Sequence, residues 1–176
     1  ELGLAVTLSL GERDEEDLAA WREAGADRYL LRFETSRRDL FERIHPRGPR
    51  SIDRFAQLAV LKKLGYETGS GVMIGIPGQT FGDLARSLEQ FAELDLDMIG
   101  VGPFIPHPDT DLGRGAADCP PAPENDQVPH SERMAYKVLA LTRLVRPDAN
   151  IPSTTAISTL DERGREHGLE RGANVV

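Results

Sequence analysis

The chain switches repeatedly between two hydrophobic periods. Short apolar or β-branched runs give way to stretches in which apolar residues return every three or four positions. The runs predict strands over Leu2–Leu10, Arg28–Glu34, Val72–Ile76, Met98–Phe104 and Asn150–Ile157, with Ala173–Val176 starting a last one. The stretches between them predict helices over Asp14–Ala24, Arg38–Ile44, Ile52–Leu64, Phe81–Leu94, Ser131–Val145 and Glu162–Glu170. The apolar stripes are Leu18 with Trp21, then Phe55, Leu58, Ala59 and Leu61, then Leu84, Leu88 and Phe91, then Met134, Val138, Leu141 and Leu144. Acidic residues open the first helix, where they suit the helix dipole, and Gly25 closes it. Ser51 and Thr80 are natural N-caps, and Gly65 is a natural stop.

This is a β–α unit repeated about six times, at roughly 25–35 residues per unit, the size of a parallel βα repeat. A doubly wound sheet is the default at this length, but Leu10-Gly11-Glu12-Arg13 is not the Gly-rich turn such a sheet carries after its first strand. Polar groups instead end most strands: Ser9, Arg32 with Glu34, Gln79 with Thr80, His107 with Asp109, and Thr154 with Thr155. A ring of such positions at one rim is what a barrel supplies. The expected fold is therefore α/β, a partial (βα)8 TIM-type barrel of about six parallel units, β3–β8 of the complete design, in one incomplete domain over residues 1–176. Residues 106–129 form a long Pro-rich loop, of a length that is usually functional or mobile.

Composition narrows the chemistry. At 176 residues and a net charge of −8, the chain fits one domain and is a poor match for nucleic acid. No apolar run has the length of a membrane span. The single cysteine, Cys119, excludes a disulfide framework and a multi-cysteine metal site within these residues. No signal peptide is visible and the chain starts at Glu1, so the expectation is a piece of a longer cytoplasmic protein.

Several residues could carry a site. Arg32 and Glu34 alternate on one side of a strand end, where they can grip a zwitterion or a ribose, or simply pair with each other. Arg54, in a first helical turn, lies near the strand ends. Gly75, Ile76, Pro77 and Gly78 form either a tight βα turn or a backbone edge for a flat ligand such as adenine. Of Thr154 and Thr155, one faces the lumen if the strand is regular. His107 and Asp109 read as a proline-stiffened loop rather than metal ligands, having no third partner nearby.

The strings YLLRFET, LKKLGYETGSGVMIGIPGQT, LDLDMIGVGPFIPHPDTDL, LALTRL, ANIPSTTA and GANVV, in that order, resemble the HydE-type radical S-adenosylmethionine (SAM) maturases of [FeFe]-hydrogenase, in the biotin synthase-like superfamily. The resemblance runs along nearly the whole chain and is weakest in the Pro-rich loop. It implies a barrel whose [4Fe–4S] cluster, held by a CxxxCxxC loop, cleaves SAM to a 5′-deoxyadenosyl radical. In that family the radical acts on a cysteine-derived sulfur substrate, thought to be an iron–cysteine complex, and the product feeds H-cluster assembly with other hydrogenase maturation proteins. Carried over by position, Glu34 and Arg54 contact SAM, Gly75 to Gly78 lie along the adenosine, and Ile105 packs on adenine. Arg32, Ser9, Thr154 and Thr155 line the substrate cavity. No catalytic or metal-ligating residue falls within the chain.

The departures from that family matter as much. The cluster motif and the acidic motif for the cofactor's amino group are absent, and Phe33 stands where relatives carry histidine. These residues alone are expected to be inactive and, with unpaired sheet edges, prone to aggregate. The alternatives are an enzyme of biotin synthase or methylornithine synthase type, against which GPFIPHPDT argues, and a non-catalytic binding remnant.

Overall fold

Four strands pair in chain order, every pair parallel, because each connection between neighbours is a helical crossover. The computed structural model describes residues 3–45, 53–115 and 117–176. Its elements are β1 (Thr7–Leu8), α1 (Glu15–Glu23), β2 (Arg28–Leu30), α2 (Arg38–Ile44), α3 (Arg54–Lys63), β3 (Glu67–Ile74), α4 (Phe81–Glu93), β4 (Met98–Pro103), α5 (Glu132–Val145), α6 (Thr155–Leu160) and α7 (Gly164–Glu170). Thr7 faces Arg28, Leu30 faces Gly69, and Ile74 faces Pro103. Two parallel bridges, Met98 with Asn150 and Pro152 with Val175, carry the same sense past β4. The α/β class with a parallel sheet is as expected.

Several boundaries differ. The strand expected over Leu2–Leu10 pairs only at Thr7–Leu8, at a sheet edge where Leu4, Val6 and Leu10 stay exposed. Ladder pairing of Arg28–Glu34 stops at Leu30. The Ser70 hydroxyl donates to the Leu31 carbonyl at 2.8 Å and accepts the Phe33 N–H, so a side chain replaces the ladder. Pairing resumes at Glu34, which bridges Val72 with a φ of 61°. The strand expected over Asn150–Ile157 is instead two single bridges running into α6, with Thr154 as its N-cap. The Ser51 cap lies outside the described residues. Asp53 performs that role, accepting from the N–H groups of Phe55 and Ala56.

Burial follows the predicted stripes in α1 and α4, where Leu18, Leu84, Leu88 and Phe91 are inside. In α3, Gln57 is buried and Ala59 exposed. In α5 the inward face is Ala135, Val138, Leu139 and Thr142, while Leu141 and Leu144 point outward. Periodicity alone could not choose, because this helix carries apolar residues around most of its circumference. Thr80 and Asp83 form a reciprocal capping box that fixes the start of α4 directly after β3.

The last two helices are clipped to α5 through Asp161. Its Oδ2 accepts the Tyr136 hydroxyl at 2.5 Å and faces His167 Nδ1 at 2.7 Å. The hydrogen bond from Tyr136, then those from His167 and the Arg163 backbone, hold the Asp161 carboxyl at about 2, and burial with the same bond pushes the Tyr136 phenol to about 12. A carboxyl depressed in the folded state contributes stability above its unfolded value of 3.8, and that contribution is lost as pH falls toward 2. Asp161→Asn is therefore expected to lower the urea midpoint at pH 7 and to leave a flatter acid limb between pH 4 and pH 2. Parallel acid limbs for the two proteins would refute the clip.

Candidate functional site

At the end of β2 the chain puts alternate residues on opposite sides. Arg32 and Glu34 turn toward one cavity; Phe33 and Thr35 turn toward another. The Arg32 guanidinium makes a bidentate pair with Glu34, Nε to Oε1 at 2.8 Å and Nη2 to Oε2 at 3.1 Å. It also donates to the carbonyls of Gly100 at 3.1 Å and Val72 at 2.8 Å. This flat guanidinium rests on the sheet only because Gly71 and Gly100 carry no side chain. A Cβ on either would lie 2.8 Å from Arg32 Nη1.

Glu34 is only 12% exposed at its side chain and holds its positive φ without being glycine. Such backbone is rare outside sites where surrounding contacts enforce it. Here the Glu34 N–H donates to the Gly71 carbonyl and the Glu34 carbonyl accepts the Met73 N–H. Together with Met73, Gly102, Pro103, Ile105, Thr154 and Ala156, the Arg32–Glu34 pair lines a cavity of about 320 Å³. Four residues singled out from sequence, Arg32, Glu34, Ile105 and Thr154, thus meet in one place. Thr154 donates to the Val101 carbonyl at 3.4 Å.

Arg54 sits on the other side of this strand end, in a smaller cavity of about 160 Å³ with Phe33, Thr35, Phe41 and Phe55. Its Nε donates to Glu12 at 2.6 Å, its Nη1 donates to the Arg32 carbonyl, and its Cζ lies 4.9 Å from the Phe41 ring centre. Burial pushes the Glu12 carboxyl up, but the Arg54 hydrogen bond, a backbone bond and the Arg54 charge outweigh it, so it stays below the usual carboxylate range. His45, stacked on Phe41, is pushed down by burial first and by Arg54 second.

The Gly75–Gly78 turn is occupied by the chain itself. The Gly75 N–H donates to Gln79 Oε1 at 2.7 Å and the Gly78 N–H donates to Gln127 Oε1 at 2.8 Å. The Ile76 carbonyl accepts from Gln127, the Gly78 carbonyl accepts from Arg37, and the Ile76 side chain is fully buried. Gly75 and Pro77 line a third cavity of about 440 Å³ between this turn and the long loop. Both glycines have φ near +84°, and their tight fit answers to Pro120 of that loop and to His130 just after it.

Ser9 and Thr155 are exposed and do not line the Arg32–Glu34 cavity. His107 and Asp109 are exposed and bonded to each other, and no cluster of metal-ligand type occurs among the described residues. Sequence reasoning missed Glu12, Phe41, Met73, Gly102 and Ala156. Only Glu12 carried a signal, an acidic residue after a glycine at a strand end, and that pattern is common.

The parallel αβ layer, with polar groups gathered at its strand ends, matches partial barrels of the radical SAM type. The methylornithine synthase crystal structure matches with a TM-score of 0.78 at 28% identity, covering 99% of this chain and 47% of that one. The chain is homologous over its whole length to the [FeFe]-hydrogenase maturase subunit HydE and to relatives in the biotin synthase-like radical SAM family. It is 47% identical over 176 residues to the HydE subunit of Thermotoga maritima, covering all of this chain and 47% of that protein. It is 31% identical over 176 residues to 3-methylornithine synthase of Methanosarcina acetivorans, again covering this whole chain and 46% of that protein. The chain thus spans about half the length of the curated relatives it matches. No family model matches it. Among the described residues, no helix is long and apolar enough to cross a membrane.

Proposed function

We propose that this chain supplies the SAM-holding and substrate-facing part of a HydE-type radical SAM maturase, one that acts on a cysteine-derived sulfur substrate during assembly of the [FeFe]-hydrogenase H-cluster. The observation that carries the reading is the convergence of Arg32, Glu34, Ile105 and Thr154 on one cavity. The 47% identity to a HydE subunit favours this maturase over the biotin synthase and methylornithine synthase alternatives.

The residues fit SAM better than they fit a cluster. An iron–sulfur cluster needs several thiolates, and the one cysteine, Cys119, is half-buried in the long loop with its thiol pushed up by burial. No step is assigned to a cluster on these residues. SAM is a zwitterion with a ribose and a flat base. Glu34 accepts from hydroxyl or ammonium groups and Ile105 offers an apolar contact for the base, while Arg54, in the adjoining cavity across the strand end, retains N–H donors for a carboxylate. Arg32, with the Thr154 hydroxyl, faces the substrate side. When bound, SAM supplies the adenosyl group; the protein's share is orientation and exclusion of water around a reactive species. At Gly75–Gly78 the two glycine N–H groups are engaged by Gln79 and Gln127, so the turn meets the adenosine through its remaining backbone carbonyls and the wall formed by Gly75 and Pro77.

The test uses the complete protein encoded by the gene, reconstituted anaerobically. SAM binding is measured by equilibrium dialysis, and 5′-deoxyadenosine formation is measured with a cysteine-derived sulfur substrate. Arg54→Ala should weaken SAM binding on the order of thirtyfold, the loss of a charge-assisted hydrogen bond to a carboxylate. Unchanged affinity would remove Arg54 from the site. Turnover of a biotin synthase or methylornithine synthase substrate in place of the sulfur compound would reassign the activity.

A further inference from the structure

The Arg54 guanidinium is restrained in three ways. Its Cζ lies over the Phe41 ring, 4.9 Å from the ring centre, a cation–π contact that holds the group against that face. The Arg32 carbonyl takes one Nη1 hydrogen, and Glu12 takes the Nε hydrogen at 2.6 Å; these two bonds set its rotation against that face. A guanidinium has five N–H donors. With those two engaged, both Nη2 hydrogens and one Nη1 hydrogen remain among the described residues. One Nη2 hydrogen points to the same side as the Nε–H, and the other lies on the Nη1–Nη2 end, where a carboxylate oxygen can accept it.

Glu12 is itself held in place. Gly11 turns the chain at φ +75°, and its carbonyl accepts the Tyr29 hydroxyl at 2.9 Å. Arg13 Nη1 donates to the Glu12 carbonyl at 2.7 Å, and Gln57 of α3 donates to the Arg13 carbonyl. Gln57 is three residues after Arg54, on the same helical face. The loop carrying Glu12 and the helix carrying Arg54 are therefore locked in register. Arg54 is 13% exposed at its side chain and Glu12 is 28% exposed, so water screens this pair only partly.

We propose that Glu12 is a positioning residue: it holds the Nε side of Arg54 so that the Nη edge is presented to the carboxylate of the bound zwitterion. Glu12 itself does not touch the ligand. This inference rests on the assignment of Arg54 to SAM. Removing Glu12 frees the guanidinium to swing about its stem, and binding then bears the cost of fixing it.

The test compares wild type, Glu12→Ala, Glu12→Gln and Arg54→Ala in the complete protein, with two measurements. Calorimetry gives the SAM dissociation constant. Nitrogen-15 NMR of the arginine Nε–H groups shows whether the Arg54 Nε–H stays protected from exchange, which a merely structural effect of Glu12 would not single out. Glu12→Ala is expected to weaken SAM on the order of tenfold and to lose Arg54 Nε–H protection. Glu12→Gln keeps an accepting oxygen and should retain most of the affinity, and it keeps the test decisive if Glu12→Ala folds poorly. Loss of affinity in Arg54→Ala with wild-type affinity in Glu12→Ala would overturn the positioning role and leave Arg54 in place. Wild-type affinity in Arg54→Ala would overturn the inference together with the reading beneath it.

Discussion

Gly71→Ala should lower the thermal midpoint by roughly 6–12 °C, the effect of about 3 kcal/mol of overpacking on a domain of this size. The added Cβ would stand 2.1 Å from the Gly100 carbonyl oxygen on the paired strand and 2.8 Å from Arg32 Nη1. Gly71 pairs directly with Gly100 in the β3–β4 ladder. The obstructing atom is backbone, so no rotamer change relieves the clash, and one of the sheet's central pairings must open. The same methyl displaces the guanidinium that lies across the sheet. Gly82→Ala is the control: its Cβ would meet only Thr80 Oγ1 at 3.6 Å, and alanine suits α4 better than glycine. Differential scanning calorimetry decides the matter. Equal midpoints for Gly71→Ala and wild type would mean that β3 and β4 do not approach as described.

Glu34→Gln should weaken SAM binding in the complete protein on the order of a hundredfold, the upper range for losing charge-assisted bonds in a partly buried site. Glutamine keeps the volume but withdraws the charge that pairs with Arg32 and one of the two accepting oxygens. Backbone strain is a separate matter. A non-glycine residue at φ 61° costs about 1–3 kcal/mol. Glu34→Gly relieves that strain, which offsets the lost ion pair, so its thermal midpoint should stay near wild type while SAM binding falls as far as in Glu34→Gln. Dialysis and calorimetry on both variants separate strain from chemistry. A glutamine variant that binds SAM like wild type would remove Glu34 from the cofactor site.

Two of the departures from the expected Arg28–Glu34 strand have a common origin. Ser70 substitutes its hydroxyl for a ladder partner after Leu30, and Glu34 then rejoins the sheet through its bridge to Val72. The result carries Arg32 and Glu34 past the end of β2, to the point where the cavity begins. Local strain, the glycine floor and the ion pair are thus one construction.

The sequence by itself determined the βα rhythm, the helix starts at Asp14, Thr80 and Ser131, and the parallel sheet, because periodicity, caps and connection length are local properties. It also singled out Arg32, Glu34 and Thr154, since polar groups at strand ends are visible in a linear reading, while Ile105 came only from the family resemblance. The tertiary structure decided what depends on partners distant in the chain. It turned α5 so that Leu141 and Leu144 face outward, and it ended the last expected strand early at the Thr154 cap. It occupied the Gly75–Gly78 donors with the side chains of Gln79 and Gln127. It put Arg54 beside Glu12, 42 residues away in sequence. No local pattern encodes a hydrogen bond across that separation; the packing of α3 against the turn after β1 creates it.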